Sequence, residues 1–102
     1  MGDEYKLTRE DGQPLPSIRE MIETFSEETG LVLFASGDDW AQFVHPTSDP
    51  QVAKAWGGDV RLEARSNAIW VTFNLGRDRK TLLAKLVDAA DRLGVRLTIS
   101  EP

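Results

Sequence analysis

The stretch Val60–Leu75, VRLEARSNAIWVTFNL, constrains the fold more than any other part of the chain. Val60, Leu62 and Ala64 alternate with Arg61, Glu63 and Arg65, and Ile69, Val71, Phe73 and Leu75 alternate with Trp70, Thr72 and Asn74. Such period-2 alternation marks strands that bury one face only. A reversal over Ser66-Asn67 sets Ala64 opposite Ile69, Leu62 opposite Val71 and Val60 opposite Phe73. Every apolar residue then shares one face, and a slip of one residue would destroy that agreement. Ser-Asn is a weaker turn than Asn-Gly, yet Asn tolerates the positive φ that a tight hairpin needs.

An apolar sheet face needs a cover, and two amphipathic helices supply it. The first opens with Ser17 and Glu20 at capping-box spacing, where each side chain satisfies an orphan backbone N–H. Ile18, Met21, Ile22 and Phe25 form one stripe, and Gly30 provides a left-handed stop. The second runs from a cap at Asp78 through Leu93, with Leu82, Leu83, Leu86, Ala90 and Leu93 as its stripe and Val87 and Ala89 at the margins. Gly94 ends it, and Val95–Ile99 alternates as a last strand.

Between the first helix and the central hairpin, Leu31–Ala35 is almost continuously apolar and reads as a central strand covered on both faces. Trp40–His45 returns as its partner after the turn residues Ser36–Asp39, and Pro46 closes it. Ser48 or Asp49 caps a short helix that begins at Pro50, covers Val52 to Trp56 and ends at Gly57-Gly58. The expected architecture is α+β, in the order α-β-β-short α-β-β-α-β. It is a two-layer sandwich with about five strands, mainly antiparallel, and both main helices on one face. Residues 1–14 are expected to be a flexible arm or a short edge strand, with 15–102 as one domain.

Charge narrows the function classes. The chain of 102 residues carries a formal charge of −5. Residues 1–30 hold eight acids and three bases, while residues 31–102 hold nine of each, so the whole excess lies in the first thirty. General nucleic-acid binding needs a basic surface and is not expected. No apolar run approaches the roughly 20 residues of a membrane span. The N-terminus has no secretory-signal pattern, and there is no cysteine. A cytoplasmic setting is expected.

His45 is the only histidine, with Asp38, Asp39 and Asp49 nearby in sequence. A general base or metal site built on it would make the protein a small enzyme or ligand-binding domain. No second histidine, zinc-site spacing, calcium loop or nucleophile motif accompanies it, so no catalytic residue, metal or cofactor is expected. Arg77, Arg79 and Lys80 oppose the dipole at the start of the second helix and could hold an anion, although a solvated basic loop is the preferred reading.

Two surfaces remain as protein-interface candidates. One is the acidic face of the first helix: Glu20, Glu23, Glu27 and Glu28, the last two at the end where the dipole gives them nothing. The other is the outer hairpin face, where Trp70 sits opposite Glu63 and diagonal to Arg61 and Arg65. There the indole is either covered from within, by arginines or the N-terminal arm, or is an anchor for a partner. The expected function is that of an acidic, non-catalytic protein-binding or adaptor domain with a basic protein partner. In size and charge alone it is similar to immunity proteins and secretion chaperones. An edge strand or the Trp70 face also gives a route to self-association.

Overall fold

A computed structural model describes residues 3–47, 49, 51, 58–74 and 79–100. Its elements are β1 (Asp3–Arg9), α1 (Ile18–Thr29), β2 (Val32–Ser36), β3 (Trp40–Val44), β4 (Val60–Arg65), β5 (Ala68–Phe73), α2 (Arg79–Arg92) and β6 (Leu97–Ser100). The strands form one antiparallel sheet in the order β2-β3-β4-β5-β1-β6, with α1 and α2 packed against it. The α+β sandwich is the one expected. Of the short helix expected at 50–56, Pro50 and residues 52–56, with Trp56, lie outside the described residues, as does the Asp78 cap.

The central hairpin has the register that the alternation requires. Val60 pairs with Phe73, Leu62 with Val71 and Ala64 with Ile69. Ser66 and Asn67 both take positive φ, 50° and 59°, as a two-residue turn matched to strand twist demands. Val60, Leu62, Ile69, Val71 and Phe73 are all fully buried under the helices. The capping box forms as spelled. The Ser17 hydroxyl accepts from the Glu20 N–H, and the Glu20 carboxylate accepts from the Ser17 N–H. Gly30 closes α1 at φ 75°. Phe25 meets Phe43 edge-on at 4.9 Å, locking α1 to β3.

Three expectations need correction. The N-terminal segment is neither a flexible arm nor an edge strand over Asp3–Arg9: β1 pairs with β5 on one side and with β6 on the other. It is the sixth strand. Leu7 goes fully into the core and Tyr5 packs edge-on against Phe73 at 5.8 Å, enough to order a strand with only two inward apolar residues. The Leu31–Ala35 run is not central. β2 is an edge strand with a bulge between Leu33 and Ala35, and Val32 and Leu33 are 48% and 40% exposed. A two-layer sandwich covers one sheet face only, so an all-apolar strand must leave some side chains out. In α2, Ala89 is fully buried whereas Leu93 lies at the exposed end of the stripe.

Candidate interaction surface

Because both helices lie on one face, the side chains of opposite parity form a second face that no helix among the described residues covers. The register lays a single row across it. Trp40 pairs with Glu63, Glu63 with Trp70, Trp70 with Lys6, and Lys6 with Ser100. Neighbouring strands are about 4.8 Å apart, so the two indoles stand roughly 10 Å apart on either side of Glu63. Both are half-buried.

The arginines come from the same strand as Glu63, two residues before it and two after. Arg61 donates to Glu63 at 3.0 Å and Arg65 at 2.7 Å, so one carboxylate ties down two guanidiniums. Each guanidinium lies over a different indole, Arg61 at 4.9 Å from the Trp40 ring centre and Arg65 at 4.7 Å from that of Trp70. Lys6 adds an ammonium 5.7 Å from the Trp70 centre. Arg65 also reaches Glu4 at 3.3 Å, and the Thr72 hydroxyl donates to the same carboxylate at 3.4 Å. The Trp40 indole rests on Gly37, the one residue type that leaves it room.

This arrangement holds large aromatic and cationic groups in fixed positions. Ion pairs at the protein surface contribute about 1 kcal/mol or less each, and a cation–π contact at the surface about 0.5–1 kcal/mol. The network therefore does more to hold the side chains in place than to stabilise the fold. The cover over Trp70 comes from Arg65 and from Lys6 on β1. Arg61 serves Trp40 instead. Lys6 and Trp40 were missing from the sequence-derived surface because β1 was not assigned to the side of β5, nor Trp40 to the row of Glu63.

The acidic helix face is largely engaged in the fold. Glu20 completes the cap. Glu27 and Glu28 receive Arg92 of α2 at 2.7 and 3.2 Å, so their position at the α1 C-terminus is explained by a cross-helix bridge. The Glu27 hydrogen bond, with a smaller contribution from Glu28, pushes the Arg92 pKa up and holds it charged. Glu23 alone of the four is exposed without a partner among the described residues.

His45 is not brought to any of the aspartates named with it. Its backbone N–H donates to the carboxylate of Asp59 at 2.8 Å, and its Nε2 is buried without a hydrogen-bond partner among the described residues. Asp38 faces Arg19 at 3.7 Å, the Asp39 carbonyl accepts from the Ala64 N–H, and Asp49 accepts from the Gln51 N–H. Asp59, the residue that sequence reasoning passed over, is buried and ties the end of β3 to the start of β4. Among the described residues no group of three potential ligands could hold a metal ion. Of the basic cluster, Arg77 lies outside the described residues, Arg79 is engaged at the first turn of α2, and Lys80 is exposed. A shallow cleft of about 330 Å³ opens between Pro14–Ser17 and the β4–β5 turn. No helix of the described residues is long and apolar enough to cross a membrane. Comparison with protein-family models, curated proteins and solved structures finds no match.

Proposed function

We propose that this is a non-catalytic, cytoplasmic protein-binding domain that docks another protein on the sheet face opposite α1 and α2. The observation that carries the reading is the row Trp40–Glu63–Trp70–Lys6, with two half-buried indoles held by guanidiniums on a face that no helix among the described residues covers. Tryptophan and arginine are the residue types most enriched at interface hot spots. Side chains already fixed in place lose less entropy on association, which favours binding. The acidic helix is the weaker candidate, since three of its four carboxylates have partners within the fold.

The test is site-specific photo-crosslinking in the native host. A photoreactive residue at Thr72, beside the row, should capture one discrete protein, and Trp70→Ala should abolish that capture. The same probe at Lys85 on α2 should not capture it. Equal capture from both positions, or capture that survives Trp70→Ala, would defeat the reading.

A further inference from the structure

We infer that the partner segment is acidic and apolar, seating apolar side chains along Val32, Val44 and Trp40 and a carboxylate against Lys6 and Arg65. This rests on the docking reading above and adds the chemistry of the occupant. The chain carries −5 overall, yet the outward charged side chains of β1, β3, β4 and β5 are Lys6, Arg61 and Arg65 against Glu4 and Glu63, a local excess of one positive charge, with Glu10 beyond the end of β1 held by the Thr98 hydroxyl. The two carboxylates are consumed by the guanidiniums and Thr72. The Lys6 ammonium faces the Trp70 ring and has no carboxylate partner among the described residues. A guanidinium has five N–H donors. The contacts to Glu63 and Glu4 engage one nitrogen of Arg61 and two of Arg65, leaving further donors for an incoming acid.

The apolar half of the footprint adjoins the basic half. Val44 faces outward from β3 on the same side as Trp40, and its partner Val32 is nearly half exposed on the edge strand β2. A basic segment would meet three cations here and gain nothing. A single-stranded nucleic acid would have to stack its bases on indole faces that guanidinium and ammonium groups already cover, whereas a peptide carboxylate pairs with those cations directly. Charge complementarity therefore selects an acidic protein segment.

The experiment uses the full chain and two end-blocked peptides of equal length, one alternating Leu-Glu and one alternating Leu-Lys, followed by the indole N–H resonances in two-dimensional NMR. The Leu-Glu peptide should shift the Trp40 and Trp70 signals, and its binding should weaken with added salt. Lys6→Gln leaves the Arg61–Glu63–Arg65 network untouched and should weaken that binding about threefold, the order expected for one screened charge. Arg65→Gln should weaken it further. The inference is overturned if the Leu-Lys peptide or an oligothymidylate shifts the same signals as strongly, if no peptide shifts them, or if Lys6→Gln has no effect. Leu-Lys binding at the indoles would remove the acidic chemistry and leave docking on this face intact. Loss of the docking reading itself is registered separately, by the crosslinking from Thr72.

Discussion

Replacing Gly37 by alanine isolates the seating of Trp40 from the stability of the core. Alanine can adopt the Gly37 backbone, which lies outside the left-handed region. A methyl group there would lie 2.7 Å from Cε2 and 2.8 Å from Cδ1 of the Trp40 indole, and closer still to Nε1. The ring must move. Moving it forfeits the stack on Arg61, worth about 0.5–1 kcal/mol at an exposed site. Against that, alanine restricts the unfolded chain and returns about 0.4–1 kcal/mol. The two effects nearly cancel. The urea midpoint should therefore change by less than about 1 kcal/mol in stability, while the Trp40 indole resonances move and the Arg61 side-chain signals sharpen toward solvent values. Unchanged Trp40 resonances would refute the seat on Gly37. A loss above about 2 kcal/mol would mean that Trp40 belongs to the core, as overpacking there would cost.

Leu62→Asp should cost several kcal/mol by burying an unpaired charge at a fully buried site, whereas Arg61→Ala on the opposite face should cost about 1 kcal/mol or less; similar urea midpoints would contradict the hairpin register. Ser17→Ala should remove about 1 kcal/mol through loss of the cap, read by thermal unfolding. The backbone N–H of Gln13, more than the neighbouring Arg9, lowers the Asp11 pKa. Its contribution to stability is thus present above the unfolded-state value and disappears as pH falls through the lower folded-state value, so an NMR titration should give Asp11 a midpoint below that of an unstructured aspartate.

Much of the fold was legible because several local signals agreed. The β4–β5 register follows from alternation on both arms, and a one-residue error would have exposed Leu62 and Val71. The α1 boundaries follow from Ser17, Glu20 and Gly30, whose side chains or φ values close the helix ends. Strand order was not legible, because it depends on which edges meet. Leu31–Ala35 is apolar enough for a central strand, yet β2 lies at the sheet edge and both helices among the described residues pack on one face. β1 offers only Tyr5 and Leu7 and gains its place from backbone pairing on both sides. The same gap limited the site. Arg61, Arg65 and Trp70 share one hairpin and were found together, while Lys6 and Trp40 enter through neighbouring strands. The carboxylates of α1 looked unpartnered because Arg92 lies more than sixty residues away in sequence.

The central claim is that the sheet face opposite the two helices, rather than the acidic helix, binds the partner. Surface-plasmon kinetics of three proteins against the crosslinked partner test it most directly: the native chain, Trp70→Ala and Glu23→Lys. Glu23 is the clean choice on α1, since reversing Glu27 would also break its bridge to Arg92. Trp70→Ala should raise the off-rate at least tenfold, the mark of a buried anchor. Glu23→Lys should leave both rates within about twofold. An unchanged off-rate for Trp70→Ala, together with a slowed on-rate for Glu23→Lys, would contradict the claim and return the interface to the helix.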